Sequence, residues 1–254
     1  MITQSRIAYE DLEFLDSDEG RPIRIQAEYL KPLRTFRQAR IEDTIVFFGS
    51  ARLQPDGPLG HYYEAARDLA HRVTEWSRSQ GEAQHRFVVC TGGGGGIMEA
   101  ANRGASEAGG PTIGLNIGLP HEQRPNEWIT PDLALEFRYF FMRKLWFAHL
   151  ARAMIAFPGG FGTLDELFEI LTLAQTRKLS APIQVLLYGS EYWQEVVDLP
   201  ALARHGMISH DDLQLFRYVD TPEEAMAALK AELHEEIGRP APDIARSLSS
   251  DPDA

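Results

Sequence analysis

The sequence is poor in the residues that anchor disulfides, metals and membranes. Its 254 residues include a single cysteine, Cys90, so no intramolecular disulfide can form and a reducing compartment is the expected setting. Neither a CxxC nor an HExxH spacing occurs, and no metal site is expected. Long hydrophobic runs are missing too. The purest, Ile45–Phe48 and Ala153–Phe157, fall far short of the ~20 residues a membrane helix needs. Positive charge is in deficit, 25 Lys+Arg against 37 Asp+Glu, for a formal net charge of -12. With no local Lys/Arg stripe, that balance argues against a nucleic-acid partner. Small anions stay admissible, because salt screens over about 8 Å and a site with its own donors escapes the global sign. The opening MITQSRIAYEDLEF lacks a charged-then-apolar signal layout. A soluble, cytoplasmic protein without a membrane partner is expected.

What is present is an ordinary globular composition, 44% hydrophobic and 24% charged, enough for a sizeable core. Residues 1–40 read as an N-terminal extension, partly ordered, with the acidic first 20 loose. Residues 239–254, with three prolines and little to bury, read as a disordered tail. Between them, short β-branched or aromatic runs alternate with helical patterns. The runs are Thr44–Phe48, Phe87–Thr91, Thr112–Ile117, Ala153–Phe157, Ile183–Tyr188 and, more weakly, Leu215–Val219. Helices are expected near 60–80, 96–109, 138–150, 162–177, 190–199 and 221–237. Continuously apolar strands alternating with helices predict one α/β domain over 41–238, a doubly wound, Rossmann-like parallel sheet with helices on both faces. In such sheets ligands sit beyond the carboxyl ends of the strands.

Two glycine-rich turns fall at such ends. Gly92–Gly96 follows the second run, and Pro158-Gly159-Gly160-Phe161-Gly162-Thr163 follows the fourth. Turns of this kind can aim successive N–H groups into one concavity, backed by the positive end of a helix, which suits a phosphate. The competing reading is that the glycines only permit tight turns and close helix packing. Neither G-x-G-x-x-G nor G-x-x-x-x-G-K-[ST] is matched, so NAD and ATP are not called for by motif.

Glu166 lies three residues after Thr163, a capping-box spacing in which its carboxylate would merely return to the Thr163 amide. If a phosphate occupies the helix start instead, Glu166 faces the same cleft, where it could contact a sugar or an attacking water. Asp165 reads as a solvated first-turn acid. The segment RYFFMRKLWFAHL, 138–150, is mostly core aromatics. Arg143 sits among Tyr139, Phe140, Trp146 and Phe147 and either snorkels to water or serves a site that needs charge. Asn116, Glu122, Gln123 and Asn126, after the third strand, are pocket candidates, and Cys90 reads as a buried strand residue.

These residues resemble the LOG ("Lonely Guy") family, whose plant members are cytokinin-activating phosphoribohydrolases. Pro158–Glu166 fits the family's PGGxGTxxE motif, Met142-Arg143-Lys144 its RK element, and Thr91–Gly96 its glycine-rich element. GSAR (49–52), GIMEAANRGA (96–105) and LPHEQRPN (119–126) are similar to its bacterial nucleotide nucleosidases. The resemblance implies Glu166 as the catalytic carboxylate and Arg143 as its partner. It implies Gly159, Gly160, Gly162 and Thr163 as the phosphate site; the first glycine turn adds Gly93, Gly94 and Gly95 as phosphate candidates, and Ser50, Met142, Lys144 and Asn116 are expected in the pocket. Where Gly95 stands, bacterial relatives often have proline, which implies a softer loop here. The implied reaction is hydrolysis of the N-glycosidic bond of a nucleoside 5′-monophosphate to free base and ribose 5-phosphate, without cofactor, in a homo-oligomer of at least two chains. The lysine decarboxylase label that many relatives carry has no pyridoxal-phosphate site behind it in this sequence. The alternative is a non-catalytic nucleotide or cofactor carrier of the same fold, which would need neither Glu166 nor Arg143.

Overall fold

The computed structural model describes residues 6–80, 86–118, 124–179 and 181–234. Its centre is a seven-stranded sheet, parallel throughout, built from β1 (Thr44–Phe48), β2 (Val88–Thr91), β3 (Thr112–Ile117), β4 (Ala134–Phe137), β5 (Ala151–Ala156), β6 (Gln184–Tyr188) and β7 (Phe216–Val219). Their order is β4-β3-β2-β1-β5-β6-β7. Every residue of β1, β2 and β5 is buried, as the unbroken apolar runs demand of strands covered on both sides.

Side-chain alternation divides the core in two. Ile45 and Phe47 join a layer with α3 (Gly60–Ser79), α4 (Ile97–Glu107) and α9 (Pro222–Leu233). Val46 and Phe48 point the other way, towards α2 (Arg21–Gln38), α5 (Phe140–Leu150) and α6 (Phe161–Gln175). After β4 the chain returns across the sheet to lay β5 beside β1, so the order reverses there. The loops leaving the carboxyl ends of β1 and β5 therefore part and open a crevice, where the switch-point rule places a ligand.

Several elements differ from the expectations. Residues 8–16, expected to be loose, form a 3-10 turn and the short helix α1 (Leu12–Asp16). α2 is a continuous helix of 18 residues despite Pro32. Ile25, Tyr29, Leu33 and Phe36 repeat along it at helical spacing and meet the core. The edge strand β4 had no expected counterpart; only alternate residues are buried, so its apolar signal is half that of a central strand. β5 begins directly after Leu150, two residues earlier than expected. The helix expected over 190–199 is two, α7 (Ser190–Val196) and α8 (Leu199–Arg204), because Asp198 caps the second through Ala201 N–H at 3.0 Å. At the amino ends of the strands, Asp43 accepts from Arg86 Nη2 at 2.6 Å, both groups buried, with Arg152 Nε 3.8 Å away. Among the described residues no helix is long and apolar enough to cross a membrane.

Candidate active site

At the end of β5 the chain makes the Pro158–Gly160 turn and enters α6. Gly160 is the N-cap, and no side chain caps this end. The first intrahelical bond runs from Leu164 N–H to Gly160 O at 3.0 Å, which leaves the N–H groups of Phe161, Gly162 and Thr163 without helical acceptors. All three residues line a cavity of about 1160 Å³ over the switch point. A Cβ on Gly160 or Gly162 would point into open space, whereas one on Gly159 would run into Thr163. Packing thus accounts for Gly159 but not for its two neighbours, whose bareness leaves room for a ligand at the amides. The turn is held from outside by the Tyr192 hydroxyl, which donates to Gly159 O at 2.7 Å, and by Ser50 N–H, which donates to Pro158 O at 2.9 Å.

Because α6 starts at Phe161, Thr163 is inside its first turn and cannot be the cap. Glu166 therefore does not return to the backbone in a capping box. It is 3% exposed, lines the cavity, and accepts from Arg143 Nη2 at 3.3 Å. Burial pushes its carboxyl up to about 7; Arg143 and then Lys144 pull it back down, and Glu169 adds a further push upward. Arg143 does not snorkel to water. Its guanidinium lies 5.5 Å from the ring centres of both Phe140 and Phe147, and its buried Nε has no hydrogen-bond partner. A desolvated acid and a cation with donor capacity to spare thus meet at the mouth of three free amides.

The other glycine turn stands further back. Gly92 lines the cavity, but Gly93, Gly94 and Gly95 are not on its wall. They are braced: Thr91 Oγ1 accepts from Gly93 N–H at 2.9 Å, while Asn126 donates through N–H to Gly93 O at 2.9 Å and through Nδ2 to Gly94 O at 3.0 Å. Gly96 adopts φ 63°, and a Cβ there would strike Ser50 O. Ser50 thereby ties both turns together, since its carbonyl also accepts from Ile97 N–H at 3.1 Å.

Asn116 lines the cavity at 6% exposure, and its Nδ2 has no partner. Met142 and Lys144 do not line it. Met142 is buried in the core. Lys144 Nζ sits 2.9 Å from Asp165 Oδ2 and 2.7 Å from Glu169 Oε2, so Asp165 is the lysine's partner on the outer side of α6. Glu122 and Gln123 lie outside the described residues. Cys90 is fully buried, which raises its thiol pKa well above the ordinary value. Gly92, at the head of the expected glycine turn, lines the wall, and the sequence reading missed Met98, Tyr192 and, in the loop after β1, Leu53, Gln54, Gly57, Pro58 and Leu59, which also form it. The Gly49-Ser50 turn after β1 was the available signal, since the switch-point rule singles out both flanking strands.

The chain is similar to known proteins over much of its length. The family model described as possible lysine decarboxylase matches residues 98–229, more than half of the chain. The rice (Oryza sativa subsp. japonica) cytokinin riboside 5′-monophosphate phosphoribohydrolase LOG is 28% identical over 206 residues, 80% of this chain and 78% of its own. The Arabidopsis thaliana enzyme LOG4, of the same description, is 27% identical over 199 residues, 77% and 85% of the two chains. Among solved structures, the X-ray structure of TM1055, a structural genomics target, superposes with a TM-score of 0.52 at 20% identity, over 74% of this chain and 99% of its own. No lysine is among the described residues that line the cavity, so the family model's description has no candidate Schiff-base residue on that wall. The chain belongs to the LOG family, the one whose model bears the name possible lysine decarboxylase.

Proposed function

We propose that the protein hydrolyses the N-glycosidic bond of nucleoside 5′-monophosphates, releasing the free base and ribose 5-phosphate. The observation that carries this reading is the contact between buried Glu166 and Arg143 beside the uncapped start of α6. Three amides and the helix dipole suit a 5′-phosphate. With the phosphate there, the sugar would fall against Glu166, and the base towards the apolar wall that includes Leu53, Leu59 and Phe161. The names of the rice and Arabidopsis relatives support the same reaction class.

The bond breaks through an oxocarbenium-like sugar. Ionised Glu166 would stabilise that cation and take a proton from the attacking water. The hydroxide portion bonds to the anomeric carbon, the bond electrons leave with the base, and the proton on Glu166 can then return to the departing nitrogen. Its pKa of about 7 suits that exchange. Arg143 would hold the carboxylate in place and lend its free Nε to a substrate oxygen. General-base help is worth roughly 10²–10⁴-fold, about 3–5 kcal/mol, against ~8–23 kcal/mol removed by typical enzymes. Most of the acceleration therefore falls to positioning and charge stabilisation.

The deciding experiment is a screen of nucleoside monophosphates for base release, with unphosphorylated nucleosides as controls. Base release that depends on the phosphate is the expected result. Tight binding of AMP that leaves it intact would instead favour a carrier. A homo-oligomer is part of the proposal, checked by light scattering of the purified protein.

A further inference from the structure

Helix α2, outside the segment matched by the family model, holds the approach to the site chiefly through Glu28. The N–H groups of Arg138 and Tyr139, which lead into α5, donate to Glu28 Oε1 and Oε2 at 2.7 and 3.2 Å. No side chain of the N-cap itself makes such a bond. The main chain of Glu28 makes a second link. Pro32 has no N–H, so the Glu28 carbonyl four residues earlier is left without its helical donor. Trp146 Nε1 donates to that carbonyl at 3.2 Å. The ring of Trp146 also lies 5.8 Å from Tyr29 and 5.5 Å from Phe36, and Arg24 Nε donates to the Tyr139 hydroxyl at 3.2 Å. The two links from Glu28 therefore bracket Arg143 on α5, before it at residues 138–139 and after it at Trp146.

We propose that α2 is a positioning element of the active site, with Glu28 fixing the rotation and height of α5 and hence the placement of the Arg143 guanidinium against Glu166. A structural proline that only docked a helix would not need its freed carbonyl and the carboxylate of the same residue on both sides of the arginine. The inference rests on the proposed function for its kinetic readout, but its geometry stands alone. The groups that face Glu166 are Arg143 and Lys144 from α5 and Glu169 from α6. If α5 slackens, Glu166 loses the pull of its two cations, and the acidic limb of the rate profile moves to higher pH.

The test compares Glu28→Ala and Glu28→Gln in the full chain, each alone and combined with Arg143→Ala. A misplacement of about 1 Å costs up to roughly 100-fold in rate. Glu28→Ala should therefore lower kcat for base release by at least about 10-fold, move the acidic limb upward, and add less than about 2-fold to the loss in Arg143→Ala. Glu28→Gln, which keeps one acceptor oxygen, should fall between the wild type and Glu28→Ala, and it carries the test if the alanine variant does not fold. Equal losses in both backgrounds, or a lower Tm with unchanged kcat, would overturn the proposal. If the wild type releases no base from any nucleoside monophosphate, the functional reading fails by itself. The positioning claim is then judged on a crystal structure of the Glu28 variant. The Arg143 Nη2 to Glu166 Oε1 distance, 3.3 Å in the intact protein, should lengthen there by about 1 Å, and an unchanged distance refutes it.

Discussion

Arg143 Nη2 and Glu166 Oε1 lie 3.3 Å apart although 23 positions separate them in sequence. The contact spans β5, because α5 delivers the arginine to one side of the strand's approach and α6 begins at its exit. Neither residue is free to relax into water: their side chains are 13% and 5% exposed. A pair so placed is costly to bury, and the proposed reaction gives it a use, at the sugar of a bound nucleotide.

Glu166→Gln removes the charge but keeps the shape. Base release from AMP should fall by at least about 100-fold, while AMP affinity, measured by calorimetry, stays within a few-fold. A near-normal rate would leave Glu166 without a chemical role.

Arg143→Ala should produce a comparable loss of kcat. It also leaves a buried carboxylate without its cation, so the acidic limb of the rate profile should move above its wild-type position. An effect on Tm alone would make the arginine structural.

The raised pKa of Glu166 makes a paired prediction for pH. Its folded value, about 7, lies above the ordinary 4.5, so the folded state favours the protonated acid. The resulting stability is fully present below pH 4.5 and is lost as pH rises through 7, amounting to at most about 3 kcal/mol. Glu166→Gln should therefore melt higher than the wild type at pH 8 and converge with it near pH 4.5. Activity runs the other way, with kcat/KM of the wild type falling as pH drops below about 7.

Asn116 is buried with its Nδ2 unpaired, a donor that costs roughly 1–3 kcal/mol to leave unmet. Asn116→Ala should leave Tm unchanged or slightly higher and raise KM for AMP by about 10-fold, as expected if a substrate oxygen normally meets the amide. A marked drop in Tm without a change in KM would assign the side chain to packing against Gly93.

Asp43 gives the contrasting case at the far end of the sheet. Asp43→Ala takes from the buried Arg86 its 2.6 Å partner and leaves Glu42 at 3.6 Å, and it should cost about 3 kcal/mol in urea unfolding. Below the new Tm, kcat should be unaffected, since the residue lies across the sheet from the cavity.

Much of this protein is legible in order along the chain. The apolar runs of β1, β2, β3 and β6 declare buried parallel strands, because only a sheet covered on both faces tolerates unbroken hydrophobicity. The two glycine turns fall at the carboxyl ends of β2 and β5, where the switch-point rule looks for a ligand. β4 and α2 are harder to see for local reasons. One is short and half exposed, and the other carries an interior proline that disfavours a helix by about 3 kcal/mol in isolation. Tertiary contacts with Trp146 and the core outweigh that cost, and no window of sequence contains them.

By itself the sequence determined the fold class and the motif residues Gly159–Glu166 and Arg143, since periodicity and spacing are local properties of the chain. Only the tertiary structure decided which competing roles those residues take. Glu166 does not cap because α6 begins at Phe161 and the acid turns inward. Lys144 leaves the site because Asp165 and Glu169 meet it on the outer face. Gly93–Gly95 stand behind the wall, Gly93 and Gly94 held by Asn126. The reason is physical: a side chain's charge state, partners and access to a cavity depend on neighbours brought together by the sheet, and sequence distance carries no record of them.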